Sequence, residues 1–276
     1  MKKYLSLILV TVLATACATS PTGRKQFMLI SPESAIVQSK TAYLNAVSEF
    51  GKEDKLADDQ ALADRVATIT GRLVSVAVAD FPQSADWEWS VAIVDDDETV
   101  NAWCMAGGRM AVYTGLFEKL KLTDAEFAQI MGHEISHALA NHTAERMSRA
   151  MATQVGLVTV GTMSDHPNLT MGGAALAAQL ALELPNSRTA ESEADRIGLE
   201  LATKAGFDPD AAVSLWEKMG SVGDGKRPPE FLSTHPAPGN RQAALAAMTQ
   251  EMRGLNPQGK KAPVHPVTIV SANSAK

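Results

Sequence analysis

The chain has 276 residues, 45% hydrophobic and 20% charged, which is a globular balance with enough length for one sizeable core. Its formal net charge of −6, with no basic stripe interleaved with aromatics, excludes a nucleic-acid-binding reading. Two cysteines, Cys17 and Cys104, have neither the number nor the spacing of a disulfide framework or a paired-cysteine zinc site.

The first 16 residues read as a signal peptide. Lys2 and Lys3 precede an apolar run from Leu5 to Ala14 that is too short for a comfortable membrane span. The run ends in small residues before Cys17, as in the bacterial lipoprotein box, so Cys17 is the expected lipidation site. Ala18 after it points to the outer membrane. The alternative is an ordinary signal peptide cut near Ala16 or Ala18, which would give a soluble periplasmic protein. Residues 17–30 then form a tether.

Ser31-Pro32-Glu33 opens a helix expected to run to about Phe50, with Ser at the N-cap and Pro in the first turn. Asp58-Asp59 opens a second, with Leu62, Val66, Ile69, Leu73 and Val76 on one stripe. Then the period changes. Trp87, Trp89, Val91 and Ile93 alternate as in a strand, and Asp95 to Glu98 make a turn that lacks the pattern of a calcium loop. Val100–Met105 and Arg109–Tyr113 form two more strands around Gly107-Gly108. Read from the residues, that glycine pair is equally a plain turn or part of a free edge for an extended substrate.

Thr123 and Glu126 make a capping box. It opens the helix that carries His133-Glu134-Ile135-Ser136-His137. Two histidines four apart project from one helical face and can hold one metal ion. The intervening Glu134 can take a proton from a metal-activated water, so the motif reads as a zinc-hydrolase core, most often a metalloprotease. His142 lies roughly 140° round the helix from His137, which suits a supporting role and not a ligand. Residues 151–184 are apolar, in two halves around a turn containing His166, and read as buried helices or a flap over the site. His166 is expected to face solvent.

Glu191 and Asp195 share one face of the next helix. A Glu completing the metal set and an Asp holding a ligand imidazole is what such a site requires. Glu193 points elsewhere and is expected to be solvated. Asp208-Pro209 starts a helix with Ala212, Leu215, Trp216 and Met219 inward. Ser233-Thr234-His235-Pro236 lies in a loop before a last helix from about Asn240 to Arg253. The tail, 254–276, is rich in Pro, Lys and Ser and reads as disordered.

Taken together, the sequence resembles the HtpX-like and CAAX-prenyl-endopeptidase group of zinc metallopeptidases, in particular its periplasmic lipoprotein (LoiP- and BepA-like) branch. The motifs carrying this are His133 to His137, Glu191 to Asp195 and Ser233 to Pro236. Thr22-Gly23-Arg24, Asn101-Ala102-Trp103 and Gly107-Gly108 support it. The resemblance implies an α+β, mostly helical zincin-like domain over 31–253, with a small antiparallel sheet beside the active-site helix. It implies one Zn2+ per chain held by His133, His137 and Glu191, with Glu191 and not Glu193 as third ligand. Asp195 would orient a ligand histidine and Glu134 would be the general base. His235 would stabilise the oxyanion or sit on the metal in a resting state. Gly107, Gly108, Met110 and Val112 would lie along the substrate edge. The expected activity is endoproteolysis of misfolded or unassembled envelope proteins at the periplasmic face of the outer membrane, reached through the lipid on Cys17. The rival expectation is a lipoprotein chaperone or assembly factor for outer-membrane proteins.

Overall fold

The structure is a computed structural model that describes residues 17–162, 168, 171, 174, 175, 177, 184–222, 229–235 and 240–272. The stretch expected to be a signal peptide, His166 and most of the apolar segment before 184 lie outside the described residues.

A two-stranded hairpin comes first, β1 (Cys17–Thr19) and β2 (Lys25–Phe27), turning at Gly23. Helix α1 (Pro32–Lys52) is capped by the Ser31 hydroxyl, which accepts from Ser34 N. Helix α2 (Gln60–Asp80) is capped by Asp59, whose carboxylate accepts from Ala61 N and Leu62 N. Strands β3 (Ser90–Val94), β4 (Ala102–Met105) and β5 (Arg109–Tyr113) follow. Helices α3 (Thr114–Leu120), α4 (Asp124–Leu139), α5 (His142–Thr162), α6 (Leu184–Lys204), α7 (Ala211–Ser221), α8 (Glu230–Thr234) and α9 (Arg241–Arg253) make up most of the rest. The last strand is β6 (Thr268–Val270).

The α+β class stands, but the four-stranded sheet is mixed and not antiparallel. Its order is β4-β5-β3-β6, with β3 parallel to both β5 and β6 and only β4–β5 antiparallel. Strand β3 is therefore central. All five of its residues are buried, which explains why its pattern is nearly continuous and only weakly alternating. One face, through Val91, Ile93, Met110 and Val112, packs on α2 and α4. The other, through Ala92, Val94 and Ala111, packs on Tyr43, Val47 and Phe50 of α1.

The tail is not a loose end. From 254 onward the chain lies back over the domain to residue 272. Ala262 N donates to Ala205 O at 3.1 Å, His265 N to Gly71 O at 3.0 Å and Thr268 N to Trp89 O at 3.0 Å. Its prolines keep it extended, and Val267 and Ile269 pack on the main core. Polar composition masked an edge strand. Among the described residues, no helix is long and apolar enough to cross a membrane.

One contact sets the geometry of the site. Helices α4 and α6 touch backbone to backbone at Gly132 and Gly198. A Cβ on Gly132 would lie 2.7 Å from Gly198 O, and one on Gly198 would lie 2.6 Å from His133 N. Neither helix has slack there. Gly198→Ala should therefore lower stability by about 1–3 kcal/mol through overpacking. Gly156→Ala, at an open position on α5, should be neutral or slightly stabilising. Thermal melts of the two variants check this; equal melting temperatures would contradict the tight crossing.

Candidate metal centre

Helix α4 starts at the expected capping box. Glu126 N donates to the Thr123 hydroxyl at 3.2 Å, and Thr123 N donates to the Glu126 carboxylate at 2.8 Å. The same carboxylate takes Lys218 Nζ at 2.7 Å, which ties α7 to the start of α4. Burial of Phe127, Ile130, Met131, Ile135 and Leu139 then fixes the helix rotation. His133, Glu134 and His137 are thereby turned toward α6 and His235 at the end of α8.

Four side chains converge. His133 Nε2 lies 3.1 Å from His137 Nε2 and 3.2 Å from Glu191 Oε2. His137 Nε2 is 3.4 Å from Glu191 Oε1, and His235 Nδ1 is 3.2 Å from both Glu191 oxygens. One ligand atom from each of the four falls within 4.8 Å of the others. The structure thus brings together His133, His137 and Glu191 as expected, with His235 as a fourth donor. Imidazole nitrogens and carboxylate oxygens at such separations repel through their lone pairs unless a proton or cation is shared. Two or three imidazoles with one carboxylate also suit zinc, so the residues fit a metal ion.

The surroundings support that reading. His133 Nδ1 donates to Asp195 Oδ1 at 3.0 Å, as expected of Asp195. That oxygen also accepts from Arg241 Nη2. Arg241 is buried, lies over the Trp216 ring at 4.0 Å and sits 3.5 Å from Glu191. Sequence reading missed it, because its signal is only an Arg at the start of the helix that follows His235. His235 closes α8 and stacks on Phe231 at 4.5 Å. Phe231 N in turn donates to Val100 O, which docks α8 beside β4.

Glu134 is buried, with Oε1 making no hydrogen bond, and His235 Nε2 lies 3.3 Å from it. Burial pushes its carboxyl above the ordinary value. Burial would likewise raise Glu191, but hydrogen bonds from His133 and His235 hold it far below the usual carboxylate range. Burial alone would depress His133; the bonds to Asp195 and Glu191 outweigh it and lift the imidazole to about 9. His137 is held well below its ordinary value by burial and by the neighbouring His133.

Two expectations need correction. Glu193 is not solvated. It is buried and bonded to His142, Thr22 and Arg24. It does point away from the donor cluster, but the N-terminal hairpin covers that side. The second correction concerns the substrate edge. Strand β5 is paired on both sides, and Met110 and Val112 are fully buried, so neither can offer a free edge. Gly107 and Gly108 are the positive-φ turn between β4 and β5, packed against Ile36 and Trp89. Among the described residues β4, the edge strand beside the site, is paired only with β5, and its Trp103 and Met105 are half-buried. It borders a cleft of about 540 Å³ whose lining includes Glu134, His137, Glu191 and His235, with α5 on the far wall.

A metal-fitting donor set with the buried Glu134 carboxylate beside it, lining a cleft, defines a metallopeptidase-type site. Residues 60–249 match Peptidase family M48, and the chain belongs to that family. It is 32% identical over 251 residues to the mitochondrial metalloendopeptidase OMA1 of Bos taurus, covering 87% of this chain and 47% of that protein. It is 36% identical over 204 residues to mitochondrial metalloendopeptidase OMA1 of Arabidopsis thaliana, covering 74% and 39% respectively. The beta-barrel assembly-enhancing protease of Escherichia coli strain K12 is 29% identical over 208 residues, covering 72% of this chain and 41% of that protein. The chain spans less than half the length of each of these relatives.

Metal uptake should be proton-linked. With His133 raised to about 9, the metal-free site carries a proton at pH 7, and a ligand imidazole must be neutral. Binding should release that proton, and apparent affinity should fall by about tenfold per pH unit below the His133 value. Titration calorimetry with Zn2+ in buffers of different ionisation enthalpy checks this. Uptake without net proton release would contradict the protonation state.

Proposed function

We propose that the chain is a zinc-dependent endopeptidase that cleaves misfolded or unassembled envelope proteins. It would be held at the periplasmic face of the outer membrane by a lipid on Cys17. The observation that carries the activity is the donor cluster of His133, His137 and Glu191 with Glu134 buried beside it.

His133, His137 and Glu191 would hold the ion. When bound, it would polarise a peptide carbonyl and make an attacking water more acidic. Glu134 takes the proton of that water and returns it to the leaving amine. Its desolvated carboxylate, raised in basicity by burial, suits the exchange. Asp195, backed by Arg241, keeps His133 in the tautomer that presents Nε2. An extended substrate would add to the free edge of β4, with Trp103 and Met105 flanking it. A structured substrate cannot offer such a strand, which favours unfolded chains.

His235 occupies the fourth donor position in this conformation. Four protein ligands close a zinc site, whereas catalysis needs an open position. On this reading, His235 as a fourth ligand would belong to a resting arrangement. Its departure would free both that position and the Glu134 carboxylate 3.3 Å away. Once displaced it would sit at the cleft wall, near a developing oxyanion.

The same closed set favours a second reading: a chaperone or assembly factor that binds unfolded chains and rarely cuts. One variant separates them. Glu134→Gln keeps shape and the donor set but removes the proton acceptor. It should retain metal and bind unfolded protein while casein hydrolysis falls by about 10²–10⁴-fold. Wild-type hydrolysis by the variant would end the general-base role. Lost hydrolysis with full rescue of a deletion strain would favour the chaperone.

A further inference from the structure

We infer that Thr22 and Arg24 of the N-terminal hairpin are positioning residues of the metal centre, acting on His137 through Glu193 and His142. This rests on the reading of His137 as a ligand. Both residues lie outside the 60–249 stretch that matches the family.

The hydrogen bonds have a fixed direction. His137 turns Nε2 toward the donor cluster, so Nδ1 carries its proton. That Nδ1 lies 2.8 Å from His142 Nδ1, which must accept. His142 is then protonated on Nε2, and Nε2 donates to Glu193 Oε2 at 3.0 Å. The Glu193 carboxylate also accepts from Arg24 Nε at 2.9 Å and from the Thr22 hydroxyl. The second half of the Arg24 guanidinium forks onto Glu145, at 2.9 and 2.7 Å. Each atom in the series has one available role, and the roles fit.

This arrangement repeats what stands behind the other ligand imidazole. His133 is backed directly by Asp195, and Asp195 by Arg241. His137 is backed by Glu193 through one inserted imidazole, and Glu193 by Arg24. Both carboxylates come from α6, and each arginine comes from the chain beyond the two zinc motifs, one before and one after. A hairpin clamp alone would not place an imidazole between its carboxylate and a ligand. Groups bonded behind a ligand histidine commonly change metal affinity by about 10–100-fold. The hairpin also begins at Cys17, so the residue proposed to carry the lipid lies on the segment that steadies the site.

The test uses the full mature chain and Zn2+ in competition with a chromophoric chelator. Glu193→Gln and Arg24→Ala should weaken Zn2+ binding by about 10–100-fold, with Arg24→Lys recovering part of the loss. Gln26→Ala is the control. Gln26 ties the same hairpin to Ala140 O at 2.8 Å and to Glu145, but does not touch Glu193. It should lower the melting temperature and leave Zn2+ affinity unchanged. Imidazole 15N shifts in the metal-free chain should show His142 as the Nε2–H tautomer, and Glu193→Gln should lose that signature. Affinity that simply follows melting temperature across all variants would overturn the proposal. So would a His142 tautomer indifferent to Glu193. A wild-type chain that takes up no Zn2+ would sink the metallopeptidase reading, while the His142 tautomer would still decide the positioning role.

Discussion

Electron-pair donors buried face to face are the constraint on which this structure depends. Between His133, His137, Glu191 and His235 the nitrogens and oxygens stand 3.1–3.4 Å apart with little water access. Nothing about that cluster is stable without a shared proton or ion, so the fold must supply the energy that holds it. It does so with a glycine-to-glycine crossing of two buried helices, a sheet packed on both faces, and arginine-backed carboxylates behind the His133 and His137 rings. Each support removes a freedom that would let the donors separate.

Much of this was legible in the residues. The capping box at Thr123 and Glu126 fixes where α4 begins, and the four-residue histidine spacing fixes which face they share. The same spacing rule pairs Glu191 with Asp195. Local periodicity gives each of these because helix geometry is local. What sequence could not give depends on long-range packing. Whether β4 or β5 is the free edge depends on β3 pairing in parallel with β5, a contact set by a crossover and not by either strand. Glu193 looked solvated because its shield, the Thr22 to Arg24 hairpin, comes from 169 residues earlier. The tail looked structureless because its strand forms through backbone bonds to Gly71 and Trp89, which composition does not show. Arg241 carried only a weak local signal, an Arg opening the helix after His235.

Residues 60–249 match family M48, and the segments on either side of that match are structural parts of the same domain. The N-terminal hairpin packs behind His137, and the C-terminal segment completes the sheet under the site. His235 joins the donor set from a short helix docked on β4, the strand that offers the free edge. On the proposed mechanism, substrate pairing at β4 and release of His235 would be neighbouring events in one wall of the cleft. The arrangement gives a direct physical route by which an extended chain could open the resting site.

Metal analysis of the purified chain tests the central claim most directly. The account predicts one Zn2+ per wild-type chain and almost none in Glu191→Ala, which removes the one carboxylate that lies within 3.4 Å of all three imidazoles of the cluster. Wild-type stoichiometry in Glu191→Ala, with the variant folded, would contradict it.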